Sequence, residues 1–258
     1  MMALRFMFTL AGITLLEAAR NRLFWLAAIA VGVALGLAQF LNQLAITESL
    51  EIQVALLAAL LRVAAVFIVA TFIITSMVRE ANDKVTELML SQPAPRTSYF
   101  LGKFAGYGLV AVILALAFAL PLALLAPTAG LIAWAASLVC ELLIVTSVSL
   151  FCVISLTQVL SAFAATAGFY FLSRSMAAMQ VIAGASLTSG HTFADTAINR
   201  IVDAIALLLP SLDRMVRTDW LVNAGPALGE TLGFLAQSAV YVLVIACAAL
   251  FDLHRKNY

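Results

Sequence analysis

The chain has 258 residues, of which 64% are hydrophobic and only 10% carry charge, and its mean hydropathy is +1.10. Soluble domains carry about 25% charged residues, so this composition excludes a soluble enzyme or a nucleic-acid binder and sets the class as a polytopic helical membrane protein. The net charge of +1 says little about partners, because the placement of basic residues matters more than their sum.

Residues 3–22 read as an imperfect amphipathic helix. Leu4, Met7, Phe8, Ala11, Leu15 and Ala18 fall on one stripe, with Arg5, Thr9, Gly12 and Arg20 opposite, the pattern of a helix lying in the membrane interface. Arg20 and Arg22 precede the first apolar run and no small-residue cleavage site follows it, so the N-terminus is not expected to be a cleavable signal. Six runs are then long enough to cross a hydrocarbon core, which takes about 20 residues. They cover about 23–45, 52–78, 104–126, 131–156, the stretch from the 157–161 turn to about 188, and 231–251.

Orientation follows from the short connections. Those at 46–51 and 127–130 hold no Lys or Arg, whereas Arg5, Arg20, Arg22, the 79–103 segment, Arg255 and Lys256 all fall on the other side. The positive-inside rule then predicts both termini in the cytoplasm and the 189–230 loop outside. In that loop Ile198, Ile201, Val202, Ile205, Leu208 and Leu209 oppose Asp195, Asn199 and Asp203. This predicts an amphipathic helix on the outer surface, with Trp220 as an interfacial anchor.

The segment REANDKVTELMLSQPAPRTSYFLGK (79–103) is the chain's most concentrated stretch of charge between apolar runs. Ala81, Val85, Leu88 and Met89 recur at helical spacing, and Glu80, Asp83, Lys84 and Glu87 point the other way. Glu80 and Lys84 form an i, i+4 pair on this reading, and Pro93 and Pro95 end the helix. The segment fits a docking element for a cytoplasmic partner; it also fits a solvated loop whose basic residues only set topology.

Three ionisable residues, Arg62, Glu141 and Arg174, fall inside the predicted spans at similar depth. A lone charge there costs several kcal/mol, so a cluster is expected, within one subunit or across a dimer seam. It reads either as part of a path for an anionic substrate or as a buried tie between helices.

Catalytic motifs are missing from the sequence: there is no GxxxxGK[ST] phosphate loop, no HExxH and no GxSxG. Cys140, Cys152 and Cys247 lie in apolar runs without CxxC spacing and read as buried, inert thiols. His191 and His254 read as surface imidazoles, and Met176 with Met179 as packing rather than a soft-metal relay. Nothing here supports an intramembrane enzyme.

Taken together, these residues resemble the ABC-2-type permeases, the membrane subunits of ABC transporters whose ATPase is a separate polypeptide. More narrowly, the chain is similar to the group that holds the permease of the copper-processing transporter for nitrous oxide reductase maturation and the gliding-motility permeases. EAARNRLFW (17–25) resembles that family's interfacial elbow entering the first span. TELMLSQPAPRTSYFLGKF (86–104) resembles its Thr-x-x-Leu-Leu-x-x-Pro-x-x-Arg motif followed by Leu-Gly-Lys. At 83–85 the chain departs from the Gly-Thr pair of many relatives.

The resemblance implies an all-α, single transmembrane domain over 1–258, with six transmembrane helices, the elbow at 3–22 and both termini inside. It implies a coupling helix in 79–103 seated in a cleft of the ATPase, with Glu80, Asp83, Lys84, Val85, Glu87, Met89, Pro93 and Arg96 as the contact set. Arg96 and Lys103 would reach lipid phosphates or helix C-termini. The implied partners are two copies of a cytoplasmic ABC ATPase, a second permease copy in a homodimer, and the lipids of a bacterial inner membrane. ATP would be bound by the partner, leaving this chain without cofactor, metal or catalysis, in an exporter. The alternative is a subunit that transmits ATP-driven motion to an external, periplasmic protein without moving a substrate.

Overall fold

A computed structural model describes residues 2–44, 49–90, 95–125, 127–186, 200, 209–210, 212, 221 and 228–255. These form helices α1 (Met2–Arg20), α2 (Leu23–Leu44), α3 (Ser49–Asn82), α4 (Val85–Leu90), α5 (Arg96–Leu122), α6 (Thr128–Leu156), α7 (Val159–Ser186) and α8 (Leu228–Arg255), with no strand among the described residues. Five of them, α2, α3, α5, α6 and α8, are long and apolar enough to cross a membrane. The chain is thus an all-helical, multi-pass membrane protein by the length and composition of its helices. The 28-residue α7 carries Arg174 in its middle, which lowers its hydropathy, and it falls outside those five.

Helix boundaries follow local chemistry. Pro95 and Pro127 sit at the N-caps of α5 and α6 with extended backbone, and each helix starts at the next residue, as the restricted φ of proline favours. Thr157 ends α6 in the left-handed region (φ 58°), its N–H donating to the Val153 carbonyl at 3.0 Å. The segment 96–103, read from sequence as part of a connection, is the first two turns of α5.

The layers are set by α6. Its apolar window is 83% buried, against 22% for those of α2 and α8, so α6 is the hub and α2 and α8 form the rim. α3, α5, α7 and α8 all pack on α6. Three of its hydroxyls cost little in that apolar setting, because Ser137, Thr146 and Ser147 donate back to the carbonyls of Trp134, Leu142 and Ile144.

In α1 the side buried in the bundle is Leu10, Thr14 and Ala18, while Leu4 and Phe8 of the apolar stripe are exposed. The cause lies in α5, where Gly102 and Gly106 make a flat shelf four residues apart. A Cβ on Gly106 would come within 2.7 Å of the Thr14 Cβ and 3.1 Å of the Ala11 Cα, so only glycine lets the helices approach this closely. Leu10, Thr14 and Ala18 therefore face inward, and Leu4 and Phe8 face outward.

One expectation is corrected for the predicted cytoplasmic segment, 79–90. It is not one amphipathic helix: α3 runs to Asn82, the chain turns through Asp83 and Lys84, and the six-residue α4 follows. Lys84 adopts φ 56°, which breaks the helical register that would have aligned Ala81 with Val85, Leu88 and Met89. Leu88 is 66% exposed, whereas Val85 and Met89 are half-buried, with Met89 against the core. The expected Glu80–Lys84 pair gives way to an ion pair between Glu80 and Lys103.

Cys247 is exposed on the rim helix α8, against the expectation of a buried thiol; Cys140 and Cys152 are buried. The predicted outer helix in the 189–230 loop, Trp220 and Pro93 lie outside the described residues, as does the side chain of Glu87.

Candidate functional site

The mid-bundle cluster is built from three helices. Glu141 is 13 residues from Thr128 and 15 from Leu156 in α6, so it sits ~20 Å from either helix end. Trp134, Ser137 and Glu141 share one face of α6 at i, i+3 and i+7, and Tyr170 and Arg174 share one face of α7 at i, i+4. Arg62 of α3 enters between them.

The guanidinium of Arg62 donates through Nη1 to Glu141 Oε2 at 2.6 Å and through Nη2 to Ser137 Oγ at 2.9 Å. It also lies 5.2 Å from the Trp134 ring centroid, a cation–π contact strengthened by desolvation. Tyr170 Oη donates to the second carboxylate oxygen, Oε1, at 3.0 Å. Arg174 Nη1 stands 4.0 Å from that same oxygen, too far for a hydrogen bond. Arg62 and Glu141 are 1% and 0% exposed and Arg174 is 31% exposed.

Arg62, Glu141 and Arg174 therefore meet within one chain, in an unequal arrangement. Both Nη atoms of Arg62 donate hydrogen bonds, while Arg174 Nη1 makes none and stands beside Glu141 at ion-pair distance. Their formal charges leave one positive charge over. Arg174 Nη1, Trp134 Nε1 and Ser173 Oγ are buried with no hydrogen-bond acceptor. Sequence reasoning missed Ser137, Tyr170 and Trp134 as members. Each lies four or seven residues from a charge on its own helix, which is the only signal that could have found them.

A second cluster ties the helix ends where α1, α3 and α5 meet. Glu17 Oε1 accepts from Ser76 Oγ at 2.7 Å and from the Arg79 guanidinium. Tyr107 Oη donates to Ser76 Oγ at 3.0 Å. Lys103 pairs with Glu80 and lies 5.7 Å from the Tyr107 ring centroid. At the same end Arg96 Nη1 donates to the carbonyls of Leu253 and His254 at 3.2 and 3.3 Å, a cation on the negative end of the α8 dipole. Ser155 Oγ donates to Asp252 Oδ2 at 2.6 Å, joining α6 to α8.

This geometry divides the expected docking residues. Glu80 turns into the bundle, Arg96 is engaged on α8, and Val85 and Met89 are half-buried; Asp83 and Lys84 are exposed at the turn. Lys103, expected near lipid phosphates, is 1% exposed and bound to Glu80. Leu88 joins the exposed set.

An apolar groove of about 590 Å³ runs between α2 and α3, with Leu26, Val33, Val63 and Phe67 along its walls and Asn21 and Arg22 at its mouth. Among the described residues no group of His, Cys, Asp and Glu side chains is arranged to hold a metal ion. No family model matches the chain, and no curated protein matches it. Function is therefore read from the residues themselves.

Proposed function

We propose that this chain is the membrane-spanning permease subunit of an ABC-2-type transporter, worked by a separate cytoplasmic ATPase and operating as a homodimer with two ATPase copies. In this reading α7 is the sixth span, its Arg174 carried across the bilayer beside Glu141, and both termini are cytoplasmic in a bacterial inner membrane. Transport is outward.

The observation that carries the reading is the Asp83–Lys84 turn. A non-glycine residue at positive φ costs roughly 1–2 kcal/mol and persists where the surroundings hold it. Here it presents Asp83, Lys84 and Leu88 outward at the end of α3. Immediately behind it, the Glu80–Lys103 and Glu17–Arg79 pairs fasten α3 to α5 and α1. A push on the turn would therefore move three helices as a unit, which is what a coupling element must do. The functional contact set is narrower than the sequence implied: Asp83, Lys84 and Leu88 touch the ATPase, and Glu80, Val85, Met89 and Arg96 hold the turn in place.

The test is capture of a cognate P-loop ATPase by the detergent-solubilised chain, beside stimulation of ATP hydrolysis, for wild type and for Asp83→Arg combined with Leu88→Asp. Both side chains are exposed, so insertion and folding should be unchanged. Charge mismatch at a docked interface costs about 2–5 kcal/mol, which is roughly thirtyfold or more in affinity. Normal capture and stimulation by the double variant would sink the proposal.

A further inference from the structure

The mid-bundle cluster has a surplus of positive charge and of hydrogen-bond donors. Arg62 and Glu141 neutralise each other at 2.6 Å, and what remains is the charge of Arg174, with the unused donors Arg174 Nη1, Trp134 Nε1 and Ser173 Oγ. Ser173 and Arg174 stand three and four residues after Tyr170 and so lie on its side of α7. Buried donors without acceptors are rare and call for an explanation, and an unbalanced charge at mid-membrane is costly.

The described carboxylates of a second copy are not placed to provide the missing anion. Glu141 is 0% exposed. Among the described residues every other carboxylate lies in the first or last turn of a long helix, or in α4 and the turn before it. Among the described residues Arg174 is thus left without a counter-charge of its own.

We infer that Arg174 is the anchor of a binding site for a monovalent carboxylate with an apolar body. The valence follows from the tally: one negative charge brings the cluster to zero, whereas a dianion would leave it negative in a medium that penalises charge. The carboxylate follows from the guanidinium, whose planar fork matches two coplanar oxygens. The apolar body follows from the flanks, because Phe171 and Ala178, three residues before and four after Arg174, are exposed on the same side of α7. Phe171 is 65% exposed and packs edge-on against the Tyr170 ring at 5.8 Å. On this arrangement Tyr170 and Glu141 orient Arg174, and the ligand accepts from Nη1, which Glu141 Oε1 leaves free at 4.0 Å. As a substrate site it rests on the permease reading, but binding needs no ATPase, so failure of one leaves the other standing.

The experiment reconstitutes the purified chain in phosphatidylcholine nanodiscs and measures binding of radiolabelled octanoate, with empty nanodiscs subtracted. Saturable binding is expected, competed by unlabelled octanoate and not by octanol or octylammonium. Losing charge-assisted hydrogen bonds predicts roughly tenfold to hundredfold weaker binding in Arg174→Gln, with Arg174→Lys in between because it keeps the charge and loses the fork. Competition by octanol equal to that by octanoate would overturn the site, as would wild-type affinity in Arg174→Gln. Where that variant does not reconstitute, wild-type affinity in Arg174→Lys overturns the guanidinium assignment. Benzoate separates two sources of the same chemistry: weaker binding than octanoate supports a membrane-borne fatty acid, and equal binding supports an aqueous carboxylate.

Discussion

Where α1, α3 and α5 meet, Glu17, Arg79, Glu80 and Lys103 sum to zero; in the middle of the bundle, Arg62, Glu141 and Arg174 leave one positive charge over. The end cluster is graded in exposure, from a half-open Arg79 to a buried Lys103, and all of its cations have carboxylate partners. The middle cluster is deeper, yet one of its two cations has no hydrogen bond from Nη1. Burial alone would predict the reverse, since imbalance is least costly near water. A balanced cluster needs only to hold helices together, and an unbalanced one at greater depth marks a place where something else binds.

The largest test of that contrast is Glu141→Gln. The amide keeps the shape, its single oxygen can still accept from Arg62 while its NH2 donates to Tyr170 Oη, but it leaves Arg62 buried without a counter-charge. Breaking a buried pair this way costs about 3–5 kcal/mol, so the monodisperse fraction after solubilisation and the thermal midpoint should both fall sharply. Arg62→Met combined with Glu141→Leu should recover most of the loss, because an apolar pair of similar volume avoids the desolvation cost. A Glu141→Gln protein as stable as wild type would mean that the carboxylate is not what neutralises Arg62.

A smaller effect is expected at the other cluster. Lys103→Met removes the partner of Glu80, whose Oε2 already lacks a hydrogen bond. Glu80 is only partly buried and lies beside Arg79 in sequence, so the cost should be roughly 1–3 kcal/mol. The loss should be local, read as faster cysteine labelling at an introduced Thr14→Cys on the α1–α5 seam, with little change at an introduced Ser137→Cys in α6. Equal loosening at both positions would erase the distinction between an end clamp and a mid-bundle site.

Much of this was legible in the sequence. The all-helical membrane class, most helix bounds and the three mid-span charges follow from hydropathy and from the cost of burying charge. What could not be read was which face of a helix meets a neighbour. Hydropathy marks the Leu4–Phe8 stripe as the apolar side of α1, but it does not show that Leu10 and Thr14 are the residues that meet the glycine shelf of α5. In a membrane protein the apolar side is not necessarily the buried one, since lipid is as apolar as leucine. Likewise Glu80 and Lys84 have the spacing of a helical pair, and a single residue at positive φ cancels it. Lys103 as the true partner of Glu80 is a long-range fact that spacing does not encode.

The smallest effect separates the two clusters by solvent rather than by structure. Arg79 is 58% exposed, and its partner Glu17 is also bound by Ser76. Arg79→Ala therefore removes an exposed pair while leaving the Glu17 carboxylate an acceptor role, and should cost about 0.2–1 kcal/mol. Salt sharpens this. The Debye length shrinks from about 10 Å at 0.1 M to about 3 Å at 1 M, so raising ionic strength should shrink the difference between wild type and Arg79→Ala. The same salt should leave the Glu141→Gln deficit nearly unchanged, because Arg62 and Glu141 are out of reach of mobile ions. Thermal midpoints of the three proteins across a sodium chloride series supply the comparison. A Glu141→Gln deficit that fades with salt as fast as that of Arg79→Ala would place the middle cluster in contact with water. Arg174 would then be neutralised by dissolved ions and would need no ligand.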